Sequence, residues 1–241
     1  MDINIVITMA GLGSRFRKIG LNKNKQDIVV CGRTLFEWSM LSLKNFYGEP
    51  FVFVAHKDRI NLSLFEKTCQ QLKIYRKQLV LLDHTTDGQA TTVLAAEPYL
   101  ELTYPIIVFN IDTYFSHNCI RKEDIQINDA GFIPLFYAND PCYSYALIKG
   151  DRIIRIQEKV CISSFATVGL YYFWSFQLFK AIYRETYPFN SNGEKYIAPM
   201  YQCLIDRRER VGYKVLETQP YVLGTPEEIQ DFCSHFREND L

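Results

Sequence analysis

The sequence predicts an α/β fold with three layers, in which helices cover both faces of a mixed, mostly parallel sheet of Rossmann-like type. Two observations predict it. Strand-like apolar runs alternate with helix-like stretches through the first half of the chain. The first of these runs, residues 3–9 (INIVITM), lacks a clear polar face and ends at a glycine-rich turn. That suits a central parallel strand that delivers a loop to a ligand. With 241 residues, 48% of them apolar, the chain is long enough for one large core. It reads as a single domain, residues 1–241, with halves at 1–115 and 116–241.

The elements are read in order. After the strand at 3–9, residues 34–46 (TLFEWSMLSLKNF) have helical periodicity. Residues 51–55 (FVFVA) form the next strand, 63–74 a helix and 78–82 (QLVLL) a third strand. Residues 89–98 suit a helix, and 105–109 (PIIVF) form a fourth strand running toward Asp112. The second half has shorter strands at 131–137, 143–148 and 152–156, compatible with antiparallel pairing. Gly150-Asp151 is a hairpin signal. A strand at 167–173 (TVGLYYF) and helices at 175–185, 195–206 and 226–237 complete the chain.

Charge and cysteine content exclude several classes. Lys+Arg and Asp+Glu number 27 each, so no basic footprint for nucleic acid is present. No apolar run approaches a membrane span, and Asp2 stands where a signal peptide would be basic. The seven cysteines have no metal-binding spacing and read as buried free thiols. The expectation is a cytoplasmic protein with no nucleic-acid or membrane partner.

The sharpest local signal is Ala10-Gly11-Leu12-Gly13-Ser14-Arg15-Phe16, directly after the first strand. Glycines allow a tight turn that brings backbone N–H groups to an anion, and Arg15 adds a guanidinium for phosphate oxygens. A dinucleotide-binding loop would need a third small residue where Phe16 stands.

These residues resemble the opening of the sugar-1-phosphate nucleotidyltransferases, with likeness to proteins of surface- and capsule-polysaccharide loci. The resemblance continues in order along the chain. It implies the nucleotidyltransferase version of the Rossmann-like fold, with a nucleotide-binding first half and an acceptor-binding second half. It implies catalytic roles for Arg15 and Lys25. The step from Lys25 to Gly32 fits the family and favours Lys25 over Lys23, while Asn24 and Gln26-Asp27 depart from its Pro and Pro-Leu. Ala10, Gly11, Leu12, Gly13, Ser14, Gly88 and Gln89 would bind the nucleotide. The small Gly88-Gln89 loop favours a pyrimidine.

A carboxylate beyond a strand's C-terminal end points into the ligand crevice. Asp112 is accordingly the expected ligand of Mg²⁺, which takes one or two carboxylates with phosphate oxygens. Relatives carry a second metal Asp two residues before a Gly-Thr; here Val222 precedes Leu223-Gly224-Thr225. For the acceptor, the resemblance implies Glu158 and Lys159, Gly169 before an aromatic strand, and Glu194 in Asn192-Gly193-Glu194-Lys195-Tyr196. The implied reaction joins a nucleoside triphosphate to a sugar 1-phosphate or similar small phosphorylated acceptor and releases pyrophosphate. A nucleotide-sugar-dependent glycosyltransferase is the first alternative, but Asp112-Thr113-Tyr114 lacks the second Asp of an Asp-x-Asp pair. A non-catalytic nucleotide-binding module is the second.

Overall fold

The computed structural model describes residues 2–20, 23–126, 128–189 and 191–236. Ten strands form one sheet: β1 (Asn4–Met9), β2 (Phe51–His56), β3 (Lys77–Leu82), β4 (Ile106–Asn110), β5 (Gly131–Tyr137), β6 (Ser144–Lys149), β7 (Arg152–Glu158), β8 (Phe165–Thr167), β9 (Tyr171–Phe173) and β10 (Val211–Val215). The helices are α1 (Ser14–Lys18), α2 (Leu35–Ser42), α3 (Leu62–Gln71), α4 (Gln89–Leu94), α5 (Phe176–Thr186), α6 (Ala198–Asp206) and α7 (Pro226–His235).

The first half supplies a parallel core in the order β3-β2-β1-β4. Ile5, Ile7 and Met9 bury on one face with Phe51 and Phe53, while Val6, Val52 and Val54 bury on the other. Burial on both faces explains why these strands read as continuous apolar runs rather than alternating ones. The second half extends the sheet with mostly antiparallel strands, so the mixed α/β architecture expected from the sequence is present.

The predicted strand at 167–173 is corrected to two pieces. Gly169 has φ +85° and separates β8 from β9. Both pieces lie end to end along one edge of β5, because Leu135 pairs with Thr167 there and with Val215 of β10 on its other edge. Phe132 likewise pairs with Tyr172 and with Gly212. The far edge of the broken strand divides: β8 meets β6, whereas β9 meets β4. A fork therefore opens at Gly169, beside the C-terminal end of β4.

Other boundaries move for local reasons. The helix expected over 34–46 ends at Ser42 and continues only as a 3-10 turn at Lys44–Phe46. The helix expected over 89–98 ends at Leu94, before a 3-10 turn containing Pro98. The helix expected over 63–74 stops at Gln71, with Lys73 at φ +61° just beyond. The helix expected from 195 begins at Ala198, because Lys195 is engaged in backbone bonds elsewhere. The last residue of the helix expected over 226–237 lies outside the described residues. Strand β10 was not foreseen. Among the cysteines, Cys69 and Cys119 are buried, whereas Cys31, Cys142, Cys161 and Cys233 are exposed.

A third apolar cluster lies beside the sheet and positions the site. Trp38 of α2 is fully buried among Phe16, Tyr114, Leu223 and Phe232. Its ring meets Tyr114 at 4.9 Å and Phe232 at 5.1 Å. Its Nε1 donates to the Val30 carbonyl at 2.8 Å. One indole thus holds together the segment after the glycine loop, the hairpin following Lys25 and helix α7.

Candidate active site

The chain proceeds from β1 outward to β2 and β3, then returns to β4 on the other side of β1. The loops leaving β1 and β4 consequently part at the C-terminal ends of the strands, where open α/β sheets bind ligands. A cleft of about 730 Å³ opens there. Its walls are residues 8–14, Lys25 and Gln26, residues 85–89 with Thr92, residues 110–112, and Gly193, Glu194 and Tyr196. The cleft thus brings together Ala10, Gly11, Leu12, Gly13, Ser14, Lys25, Gly88, Gln89, Asp112 and Glu194.

Gly13 adopts φ +60° at the start of α1, and a Cβ there would stand 3.5 Å from the Lys25 Cβ. The glycine turn and the Lys25 segment are therefore close neighbours. Lys25 Nζ donates to Asp112 Oδ2 at 2.5 Å, with both side chains mostly buried. The Leu223 N–H donates to the Asp112 carbonyl at 2.7 Å, which draws the segment before α7 against the same loop.

Arg15 is exposed and does not line the cleft itself. Arg15 and Asp112 both approach Gly224. A Cβ on Gly224 would lie 3.2 Å from Asp112 Oδ2, 3.4 Å from Glu228 Oε2 and 3.8 Å from Arg15 Nη1. The guanidinium and the carboxylate therefore flank the same glycine, although Arg15 is not part of the cleft wall.

The opposite wall joins two distant segments. Gly88 has φ +154°, and a Cβ there would fall 2.4 Å from the Lys195 carbonyl oxygen and 2.5 Å from its nitrogen. Only glycine permits that approach. The Lys195 N–H donates to the Asp87 carbonyl at 2.8 Å, and the Ala90 N–H donates to the Lys195 carbonyl at 3.0 Å. Lys195 Nζ adds an ion pair with Asp87 at 2.8 Å. Gln89 is steadied by a bond from its Nε2 to Thr8 Oγ1 at 3.1 Å.

Glu158, Lys159 and Gly169 lie outside the cleft wall. Lys159 reaches it through an intermediary: its Nζ donates to Tyr196 Oη at 2.5 Å, and Tyr196 Oη donates to Glu194. The bond to Tyr196 raises the Lys159 pKa, while burial raises that of Tyr196. Glu158 accepts from Ser144 Oγ and is largely buried, which raises its carboxyl pKa above the ordinary glutamate value. Gly169 sits against Asn110, where a Cβ would come 2.5 Å from Nδ2. Asn110 lines the cleft, and its buried Oδ1 has no hydrogen-bond partner.

Among the cleft residues, sequence reasoning missed Asn110, Tyr196 and Gln26. Asn110 immediately precedes the Ile-Asp pair at the end of β4, and Tyr196 closes the Gly-Glu-Lys-Tyr segment, so both lay beside residues already singled out. Among the described residues, no set of three or more His, Cys, Asp and Glu side chains forms a metal-binding cluster. No described helix is long and apolar enough to cross a membrane.

No family model matches the sequence, and no curated protein matches it. Solved structures do. The chain is 29% identical to a nucleoside-diphosphate-sugar pyrophosphorylase from Vibrio cholerae RC9, over 96% of this chain and 100% of that one, with a TM-score of 0.86. An inositol-1-phosphate CTP transferase from T. maritima aligns with a TM-score of 0.79 at 18% identity, over 98% of this chain and 97% of that one. A UDP-glucose pyrophosphorylase from Acinetobacter baumanii aligns at 0.74 and 16% identity, over 98% and 93%. The last two likenesses are of fold alone. All three give this chain the Rossmann-like nucleotidyltransferase fold, and the 29% identity to the Vibrio pyrophosphorylase, with the cleft at the switch point, supports an enzyme of the nucleotidyltransferase type.

Proposed function

We propose that the chain transfers a nucleotidyl group from a nucleoside triphosphate to a sugar 1-phosphate or a similar small phosphorylated acceptor, with release of pyrophosphate. The observation that carries this reading is the cleft itself. A glycine turn, a lysine and a carboxylate face one space large enough for a nucleotide. The clamped Gly88–Lys195 wall supports a base subsite beside Gln89, and Tyr196 with Glu194 supports an acceptor subsite. A pyrimidine fits the reading best, since solved relatives include a CTP transferase and a UDP-glucose pyrophosphorylase. A supply of activated sugars for surface polysaccharide is the expected use of the product.

In the reaction an acceptor phosphate oxygen forms a bond to the α-phosphorus. The bond from that phosphorus to the bridging oxygen breaks, and pyrophosphate leaves with it. No covalent protein nucleophile is needed; alignment and charge stabilisation supply the rate. The glycine-turn N–H groups receive phosphate oxygens, and Arg15, exposed beside that turn, would reach them from outside the cleft wall. Lys25, released from Asp112, stabilises negative charge on the leaving pyrophosphate. Lys159 and Tyr196 hold the attacking phosphate, and Glu194 and Glu158 engage acceptor hydroxyls. Asp112, a carboxylate of the cleft wall, fits a divalent cation, which takes one or two carboxylates together with phosphate oxygens. Mg²⁺ bound there would supply charge screening for the phosphates.

The test incubates the chain with CTP, UTP, dTTP and GTP, each with a panel of sugar 1-phosphates, and measures pyrophosphate. Pyrophosphate release that requires both substrates is the expected result. Release of a nucleoside diphosphate from a nucleotide sugar, with no pyrophosphate from any triphosphate, would overturn the reading in favour of glycosyl transfer.

A further inference from the structure

Two cysteines far apart in the chain meet outside the cleft. Cys31 Sγ lies 3.0 Å from Cys233 Sγ, although 202 residues separate them. Both residues are exposed, so a small solute can reach the pair. Neither lines the cleft, and the proposed reaction gives neither a role.

The fold holds each thiol in place from beneath. Val30 pairs with Arg33 across a two-residue turn made of Cys31 and Gly32. Cys31 has φ +46° and Gly32 has φ +81°, the two positive values that a tight hairpin of type I′ needs. Asn, Asp or Gly usually fills the first of those positions, because other side chains are strained there. Here a cysteine takes it, with its thiol against α7. Cys233 lies in the last turn of that helix. Trp38 anchors the neighbours of both. Its Nε1 bonds the carbonyl of Val30, the residue before Cys31, and its ring meets Phe232, the residue before Cys233, at 5.1 Å. The indole is fully buried, so the core itself brings the two sulfurs together.

We propose that Cys31 and Cys233 are a modification site, forming a reversible disulfide that staples the hairpin following Lys25 to α7. A disulfide spans about 2 Å, so the sulfurs need to close by only about 1 Å. The oxidant is of the low-molecular-weight disulfide class. One cysteine thiolate attacks it, a mixed disulfide forms, and the first small thiol leaves. The other cysteine then attacks the protein sulfur of the mixed disulfide, and the second small thiol leaves. Two protein thiols are oxidised, one small disulfide is reduced to two thiols, and the two protons pass to those thiols through solvent. Burial, with Cys233 alongside, pushes the pKa of the Cys31 thiol up to about 11. Cys31 therefore reacts slowly near neutral pH and is a poor leaving group, which preserves the bond once made. The staple joins two segments that support the cleft from behind. The hairpin continues the chain from Lys25, and the stretch before α7 bonds the Asp112 carbonyl through Leu223. It also closes a loop of most of the chain, which constrains the unfolded state.

The experiment incubates the full chain with oxidised glutathione in excess over reduced glutathione. Alkylation and digestion without reduction then allow the linkages to be read by mass spectrometry. The expected product is a monomer that has lost two of its seven thiols, yields a peptide joining Cys31 to Cys233, and regains both thiols in dithiothreitol. The oxidised chain should melt several degrees above the reduced one. Cys31→Ser and Cys233→Ser should each lose the joined peptide and the rise in Tm. Cys161→Ser, at another exposed cysteine, should keep both. Absence of the joined peptide from the oxidised wild-type chain would overturn the inference, whether the thiols stay free, carry glutathione singly or link two copies of the chain. A joined peptide with no rise in Tm would overturn the staple. No readout involves a nucleotide or an acceptor, so the result stands apart from that of the pyrophosphate assay.

Discussion

Lys25 Nζ and Asp112 Oδ2 stand 2.5 Å apart across the cleft, although 87 residues separate them in the chain. Without a ligand each neutralises the other. Under the proposed reaction a triphosphate with its cation would offer each a stronger partner, anionic oxygens for the lysine and a divalent ion for the aspartate.

Lys25→Ala should therefore lower turnover roughly 10²–10³-fold, the effect of losing one preorganised donor. Pyrophosphate release at saturating substrates measures it. The folded state should survive, because the lysine anchors no core residue. A loss under about threefold would remove Lys25 from the reaction.

Gly88 packs against the Lys195 backbone where two segments of the cleft wall meet. Gly88→Ala forces a methyl group to within 2.4 Å of the Lys195 carbonyl oxygen, at φ +154°. The expected cost is about 1–3 kcal/mol of stability from strain of this kind, seen as a Tm lower by several degrees. Triphosphate affinity should fall with it. Gly11→Ala meets no atom within 4 Å and serves as the control for stability.

Tyr196 Oη links Lys159 to Glu194. Tyr196→Phe removes two hydrogen bonds to charged groups, each worth about 1.5–3 kcal/mol. KM for the phosphorylated acceptor should rise at least about tenfold, while KM for the triphosphate stays within about twofold. Equal changes in both constants would dissociate Tyr196 from the acceptor.

Glu158 gives a pH signature. Burial raises its carboxyl pKa in the folded chain. The folded state then binds more protons than the unfolded one, so stability falls as pH rises through the interval between the two values. Neutral Glu158→Gln escapes that loss. The variant should melt at a higher temperature than wild type at neutral pH, and the difference should vanish below the ordinary glutamate range. Circular dichroism melts across pH check both ends.

The parallel half of the fold was legible because its strands bury both faces and its first loop is spelled in glycines. The glycine turn and Asp112 were legible because each follows a strand, whereas Lys25 and Gln89 were legible only through the resemblance to the nucleotidyltransferases, Lys25 by its spacing to Gly32. The broken strand was not: Thr-Val-Gly-Leu-Tyr-Tyr-Phe has strand composition throughout, and only the φ of Gly169 with its contact to Asn110 reveals the fork. Strand β10 was missed because Val-Gly-Tyr-Lys-Val is short and polar enough to pass for a loop, and its pairing with β5 is a long-range event. Glu228 was hidden because its sequence context specifies a helix cap. In the structure its Oε2 is buried without a hydrogen-bond partner, near Gly224.

The most direct test of the cleft is thermal unfolding with CTP, UTP, dTTP or GTP in the presence of Mg²⁺. A ligand at about 100 times its Kd stabilises the folded state by about 2.7 kcal/mol, a rise of several degrees for a chain of this size. At least one pyrimidine triphosphate should give that rise, and Asp112→Asn and Lys25→Ala should each diminish it. No rise with any of the four, or a rise that both variants keep in full, would contradict a nucleotide seat between the first loop and Asp112.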